Sequence, residues 1–448
     1  MRLLHTADWH IGQTLAGFSR EAEHRAFLDH LGQLIVEHDV DALLVAGDVF
    51  DGINPSGEAQ RMLYSALARY VRQRPGLTVV MIAGNHDPAA RLEAPQAILR
   101  ELGVHVVGTM QVGPGQVDLG QADLRPADPR LADLGHADPG PADPGLADLG
   151  LADPGQADLG QADLGRHLIP LSDRTGVRAY VLAIPFLRAA DLPGLTMEVA
   201  SGEGAVVRAV RTLHATLTEA AVAASHGLPL IAMGHLTCSG AEASLGAERP
   251  IRIGGEDAVP PDIYPKALSY VALGHLHKPQ SLDGGRVRYA GSPFPLSASE
   301  IPYVHGVTLI ELGETLTHRH IPIPRLVPNL RLPAKGAIPL ADLPALLQGL
   351  ALDAACPRDL QPFVSITLSA DRPASQLKAE ADALLDRHPV RVASLVIDRA
   401  VAALPDMPPP SLAETTPEAL FALAFHQAHG FDPAPVHLSA FRDALSEV

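Results

Sequence analysis

Cysteine is scarce in this chain: 448 residues contain only Cys238 and Cys356. Two thiols so far apart supply no disulfide framework, which excludes a small cross-linked secreted scaffold and fits a reducing compartment. Cys238, three residues after His235, reads as a small buried thiol in preference to a soft metal ligand. Long apolar runs are missing too. None reaches the roughly 18 residues a spanning helix needs, and the amino terminus enters a strand pattern without a charged region and signal-peptide core. A cytoplasmic protein is expected. Positive charge is in deficit, with 34 Lys and Arg against 51 Asp and Glu and a formal charge of −17. That balance excludes a simple electrostatic nucleic-acid binder, whose phosphate contacts come from clustered Lys and Arg. Much of the acidity is local. Between Val117 and Arg166 an Asp recurs every fifth residue, from Asp118 to Asp163, and Arg125, Arg130 and Arg166 are the only Lys or Arg side chains.

What is present is organised around LTVVMIAGNHD, residues 77–87. Leu77, Val79, Val80, Met81 and Ile82 form a short continuous apolar run, the pattern of a strand buried on both faces of a parallel sheet. The run stops at Gly84-Asn85-His86-Asp87, so the strand delivers an amide, an imidazole and a carboxylate to its carboxyl end, where open α/β sheets keep their active sites. The same event recurs at Asp8-Trp9-His10, Gly47-Asp48, Gly234-His235 and Gly274-His275-Leu276-His277.

The first 110 residues alternate strand and helix, which predicts a layered α/β domain. Helical spacing covers residues 21–38 through Ala22, Phe27, Leu31 and Ile35, and residues 57–72 through Leu63, Leu67 and Tyr70; strands are predicted at 104–107 and 177–184. An alanine-rich helix at 203–226 precedes the strand ending at His235. Segments 287–290, 307–312 and 316–323 read as strands of a second sheet closing the domain. Pro322, Pro324 and Pro328 mark a boundary. A smaller unit follows, with helices near 340–350 and 375–387 and strands at 363–368 and 390–397. Residues 407–410 form a stiff linker to two short helical patterns in 417–448. The predicted division is 1–325, 326–405 and 411–448.

The chemistry comes from residue types at the strand ends. Asp8 and His10 are two apart, as are His275 and His277, so in extended backbone each pair points to one side and can grip one ion. Carboxylate, imidazole and amide together suit borderline or harder divalent ions, with manganese leading and zinc or iron as alternatives. Asp48, between two such clusters, is placed to bridge two ions about 3.5–4 Å apart, the arrangement used for in-line displacement at phosphorus. A lone Asp-x-His carries little weight, and His5, His24, His30 and His38 read as ordinary packing or surface residues. Five strand ends carrying one class of ligand carry much more.

DWH, GDVFD, GNHD, GH and GHLH in this order resemble the calcineurin-like metallophosphoesterases across Asp8 to His277. More narrowly, ALGHLHKPQ followed by YAGSPFPLSASE resembles the SbcD family of bacterial nuclease subunits, over nearly the whole chain apart from the Asp-rich insert. The resemblance implies a two-sheet sandwich flanked by helices, a small α+β cap domain and C-terminal helices. It implies that Asp8, His10, Asp48 and His277 hold one metal and that Asp48, Asn85, His235 and His275 hold the other. His86 is then the catalytic histidine, and Asp87 either orients it or caps a turn. Asp51 departs from the pattern, since archaeal relatives carry a histidine there. The implied activity is metal-dependent cleavage of DNA, exonucleolytic on duplex ends and endonucleolytic on single strands and hairpins, in repair, recombination and replication. The implied assembly is a homodimer within a heterotetramer with an SbcC-like ATPase. A phosphoesterase acting on small phosphodiesters or phosphoproteins shares the metal site but gives no reason for residues 328–400 or the apolar tail, and a non-catalytic scaffold has no use for a full ligand set.

The insert, about residues 113–165, repeats Ala-Asp-Leu-Gly-x or Ala-Asp-Pro-Gly-x with period five. A pentapeptide-type β-helix places Ala and Leu inward, but Pro129, Pro139, Pro144 and Pro154 occupy inward positions, and proline removes a backbone donor. A solvated loop is the preferred reading, with charge that repels DNA. In the tail, Leu420, Phe421, Phe425, Phe441 and Leu445 are more apolar than two unpartnered helices need, which points to docking on the ATPase.

Overall fold

A strand that is apolar on both faces needs cover on both, and the arrangement of layers follows from that need. The computed structural model describes residues 1–110, 164–192, 204–244, 248, 258–398, 416–429 and 431–446. Most of the Asp-rich insert and the 407–410 linker lie outside the described residues. The chain divides into two compact units, Met1–Ile397 and Asp398–Val448.

The first strands are β1 (Arg2–Thr6), a small hairpin of β2 (Thr14–Leu15) and β3 (Phe18–Ser19), β4 (Ala42–Ala46), β5 (Thr78–Ile82) and β6 (Val104–Val107). Helices α1 (Glu21–Glu37) and α2 (Gly57–Gln73) cross between the parallel strands β1, β4 and β5. Serine starts α2: Ser56 Oγ accepts a hydrogen bond from Ala59 N at 3.1 Å, satisfying one of the helix's first free N–H groups. Further on lie β7 (Leu168–Asp173), β8 (Gly176–Ala183), β9 (Leu230–His235), β10 (Leu268–Gly274), β11 (Gln280–Leu282), β12 (Val287–Tyr289), β13 (Gly306–Leu312) and β14 (Leu316–Pro322). Two six-stranded sheets result, ordered β14-β13-β1-β4-β5-β6 and β11-β12-β10-β9-β8-β7.

The strand period of two sorts the side chains. In β4, Leu43 and Val45 pack outward with α1 and α2, through Phe27, Leu31, Leu63 and Leu67. Ala42, Leu44 and Ala46 face the other way, onto Ala179, Val181, Ile231, Met233 and Ala272 of the second sheet. The far face of that sheet, with Leu230, Ala232 and Val271, is covered by Val210, Leu213 and Leu217 of helix Ala205–Ala224. The result is a helix-sheet-sheet-helix sandwich.

One expectation is corrected. Strands β13 and β14 do not join the second sheet: β13 pairs antiparallel with β1, and β14 with β13, in the first. Pairing there satisfies the edge β1 would otherwise expose. Strand β7 was not legible in the sequence, because its alternation (Ile169 and Leu171 buried, Pro170 exposed) is short and adjoins the repeat.

Beyond Pro328 a third sheet follows, β15 (Asn329–Leu332), β16 (Phe363–Ser369) and β17 (Arg391–Asp398), with its own core of Leu343, Leu347, Val364, Ile366, Leu377 and Ala381. It is tied to the first sheet's loops by cations. Arg391 lies 3.8 Å from the Phe363 ring centroid and donates to Ser19 O at 3.2 Å. Arg20, buried and bidentate to Glu23, lies 5.7 Å from the same Phe363 ring centroid and 4.6 Å from that of Phe294. The described residues of the second compact unit include a helical hairpin, Pro417–His429 and Pro435–Ser446, closed by Phe421 stacked on Phe441 with centroids 4.3 Å apart.

Three histidines are structural, in line with the plain reading of His5 and His24. His5 bridges the sheets, 3.0 Å from Tyr270 Oη and 3.2 Å from Leu273 O. His24 lies between Arg20 O and Trp9 O, each at 3.0 Å. His214, in helix Ala205–Ala224, is buried, and burial pulls its pKa down to about 4. A histidine neutral in the fold and protonated when unfolded contributes stability above pH 6.5 that is lost as pH falls toward 4, because the unfolded chain then binds the extra proton. Measured by urea unfolding at pH 7.5 and pH 5, the stability of the parent relative to His214→Gln is expected to fall by about 2 kcal/mol at the lower pH. An unchanged difference would mean that His214 titrates normally in the fold.

Candidate metal centre

The carboxyl ends of β1, β4, β5, β9 and β10 meet between the two sheets, and each brings polar side chains. Ligand atoms fall into three overlapping groups, Asp8–His10–His277, His10–Asp48–His86 and Asp48–His235–His275, the atoms of each lying within 4.8 Å of one another. Asp48 joins them: its Oδ2 is 3.6 Å from His10 Nε2 and 3.3 Å from His235 Nε2. Asn85 Oδ1 is 3.0 Å from His235 Nε2. The fold thus gathers Asp8, His10, Asp48, Asn85, His235, His275 and His277, with His86 beside them.

The backbone that does this is not extended. Asp8 (φ 53°), His10 (φ 46°), Asp48 (φ 48°) and His275 (φ 94°) all lie in the left-handed region. There a non-glycine residue costs about 1–3 kcal/mol, and such strain clusters at functional sites. Cross-strand bonds hold it, Asp8 N to Gly47 O and His10 N to Asp48 O, each 3.0 Å. The pairing of His275 with His277 on one ion is therefore corrected: the turn at His275 sends the two rings into different groups, with His277 beside Asp8 and His275 beside Asp48.

The glycines before Asp48, Asn85 and His275 are required by crowding. A Cβ on Gly274 would lie 1.9 Å from Ala46 O, and one on Gly84 would lie 2.2 Å from Asp48 Oδ1. Only bare backbone lets the two sheets close far enough for His235 on one to reach Asp48 on the other.

Ring orientation is set at Nδ1. His235 Nδ1 donates to Ala46 O at 2.9 Å, His10 Nδ1 lies 3.2 Å from Asp51 Oδ1, and His277 Nδ1 lies 2.8 Å from Glu300 Oε1. Each contact leaves Nε2 for the centre, the second-layer arrangement that metal-ligating histidines use. His86 Nδ1 donates to Asp51 O at 2.9 Å, and its backbone N donates to Asp48 Oδ1 at 2.8 Å. Glu300 was not singled out from the sequence. It lies in the quoted YAGSPFPLSASE segment, 23 residues from His277, in an irregular loop that periodicity cannot place.

Of the two roles read for Asp87, the contacts favour the cap. Its carboxylate accepts from Val49 N at 3.1 Å, Phe50 N at 2.8 Å and Gly84 N at 2.9 Å, so it laces the loop after β4 to the loop after β5. The carbonyl of Asp51, and not Asp87, holds the His86 ring at Nδ1. Cys238 is buried, and burial pushes its thiol up to about 12, which makes it inert packing.

The donor set fits divalent cations. Asp8 Oδ2 and His10 Nε2 are buried with no hydrogen-bond partner, a costly state that an ion would relieve. Charge points the same way. Burial pushes the Asp8 carboxyl up to about 6, against the pull of His235 and His277. Burial also works to raise Asp48, but His235 and His10 hold it well below the usual carboxylate range. Burial works to lower His235 and His277, yet Asp48 lifts the first and Glu300 the second to about 9. Positive charge at this point of the fold is what the buried carboxylates require.

Residues 1–120 match the model of the calcineurin-like phosphoesterase family. Over 451 aligned positions the chain is 56% identical to the SbcD subunit of the SbcCD nuclease of Rhodobacter capsulatus, covering 100% of both chains. The chain belongs to the SbcD family. It is also 34% identical to the SbcD subunit of Escherichia coli K12, over 69% of this chain and 65% of that one, and 31% identical to that of Bacillus subtilis, over 72% and 69%. As an SbcD-family member it is a nuclease, a phosphodiester hydrolase, and the two-sheet α/β sandwich is the metallophosphoesterase fold.

The crowding at Gly274 is directly testable. In Gly274→Ala the new methyl meets backbone, which cannot yield as a side chain can, so unfolding free energy is expected to drop by about 1–3 kcal/mol or more, with metal stoichiometry falling alongside. Gly57→Ala, where a Cβ meets nothing within 4 Å, is the matched control and should behave as the parent. Equal stability of the two variants in thermal denaturation would contradict the close approach of β10 to β4.

Proposed function

We propose that this SbcD-family chain is a two-metal DNA nuclease. The observation that carries the reading is Asp48, shared between two ligand groups in a buried centre where Asp8 Oδ2 and His10 Nε2 make no hydrogen bond. Asp8, His10, Asp48 and His277 would hold one ion, and Asp48, Asn85, His235 and His275 the other. Manganese suits this mixture of imidazole, carboxylate and amide. Bound, the ions supply Lewis-acid stabilisation of the charge that develops on phosphoryl oxygens.

The chain's own residues do the rest. His86 stands at the edge of the centre with Nδ1 committed to Asp51 O, so a proton passed to the leaving oxygen comes from Nε2. Asp51, 3.2 Å from His10 Nδ1, orients a ligand ring and occupies the place where a substrate-contacting histidine is expected in archaeal relatives. Asp87 keeps the two catalytic loops in register.

The relatives are named as one component of the SbcCD nuclease, which supports an SbcC-like ATPase as partner. We read the assembly as a homodimer within a heterotetramer, cytoplasmic, opening DNA ends and hairpins during repair and recombination. Among the described residues no helix is long and apolar enough to cross a membrane. Residues 326–405 would cap the nuclease domain of residues 1–325, and residues 411–448 would bind the ATPase. Leu420, Leu423, Val436 and Leu445 stay exposed on the C-terminal hairpin, apolar surface that a partner's groove would cover.

Asp48→Asn is expected to abolish hairpin cleavage and to weaken occupancy of both ions, whereas His86→Ala keeps both ions and loses turnover by about 10²–10⁴-fold. Metal analysis beside a hairpin-DNA assay separates the two; two ions and full activity in Asp48→Asn would refute the shared ligand. Truncation after Pro410 should leave nuclease folding intact and abolish co-elution with the SbcC-like ATPase on a sizing column, and intact co-elution would remove the C-terminal helices from the interface.

A further inference from the structure

We infer that Glu300 is a positioning residue for the reaction, aiming His277 at the metal centre and raising its strength as a ligand. The inference rests on the two-metal reading above. Glu300 closes the short turn Ala298–Glu300, and its side chain is fully buried. Oε1 lies 2.8 Å from His277 Nδ1 and 3.3 Å from Ser297 Oγ. Oε2 accepts from Leu296 N at 2.9 Å and from Ser292 Oγ at 3.4 Å. Of the three candidate ligand rings held at Nδ1, His277 is the one held by a fully buried carboxylate; His235 faces a neutral carbonyl, and the Asp51 side chain beside His10 is 41% exposed.

The difference is chemical. A carboxylate accepting the Nδ1 proton fixes the tautomer, leaves the lone pair at Nε2 and makes that nitrogen more basic toward a cation. Burial strengthens the effect, because water does not screen the pair. The loop that carries Glu300 is also fixed. Arg20 donates to Pro295 O at 2.7 Å, Gln13 Nε2 donates to Leu296 O at 3.3 Å, and His305 Nε2 lies 3.1 Å from Glu300 O. Asp8 and Trp9 belong to the same framework, since His24, packed on Phe294 at 5.1 Å between centroids, contacts Trp9 O. Glu300 therefore reaches His277 from a scaffold anchored to the segment that presents Asp8 and His10.

A purely structural carboxylate, there to tie Leu296 N and Ser292, would behave differently, and Glu300→Gln separates the two roles. Glutamine preserves size and keeps one acceptor oxygen, but its amide N–H₂ must face one of the two donors. The full chain is titrated with Mn²⁺ by calorimetry, with Co²⁺ absorption as the spectroscopic readout. In the parent, two ions bind. In Glu300→Gln one ion is expected to bind as in the parent and the other about 10–100-fold more weakly, with an altered Co²⁺ spectrum. Saturating Mn²⁺ should restore most of kcat on hairpin DNA. Ser292→Ala, which removes a loop bond and leaves the His277 contact, should lower Tm with Mn²⁺ affinity unchanged. Parent-like affinity at both sites of a folded Glu300→Gln overturns the inference, as does a variant that is unfolded without metal. A parent that binds no Mn²⁺ overturns the two-metal reading itself, and this inference with it.

Discussion

The approach of two sheets at their carboxyl ends is the constraint on which this molecule depends. Asp48 comes from the first sheet and His235 from the second, and they meet at 3.3 Å only because Gly274 lets β10 lie against the carbonyl of Ala46. The same carbonyl accepts from His235 Nδ1, so one backbone oxygen both limits the approach and aims the ring. Small residues extend the fit along the interface, where Ala42, Ala46, Ala179, Ala183 and Ala272 pack face to face.

Buried charge is the second constraint. Asp8 and Asp48 lie in a water-poor space where an uncompensated carboxylate is strongly disfavoured. Their neighbours answer with imidazoles, two of which rise to about 9. The left-handed turns at Asp8, His10, Asp48 and His275 are the conformational counterpart of that charge. They cost stability locally, and the cross-strand bonds and layered cores around them outweigh the cost.

Around this centre the chain invests in rigid loops. Asp87 ties two of them through three backbone N–H groups, and Arg20, between Glu23 and Phe294, anchors a third. Arg391 continues the line by stacking on Phe363, which links the third sheet to the segment at Ser19.

The sequence by itself determined most of the long strands, the long helices and the inventory of candidate ligands. Buried parallel strands announce themselves as apolar runs, and a run ending in Gly-Asn-His-Asp or Gly-His-Leu-His has little else to do with its polar end. Residue identity at a strand end is local information, so Asp8, His10, Asp48, Asn85, His86, His235, His275 and His277 could be named from it. Which sheet β13 and β14 join, how closely Gly274 lies to Ala46, which of its two read roles Asp87 takes, and that Glu300 reaches His277 were decided by tertiary structure. Each depends on a pairing or a close approach between segments distant in sequence: β1 with β13, Gly274 with Ala46, Glu300 with His277. Periodicity says which face of a strand is buried; it carries no information on what lies across that face.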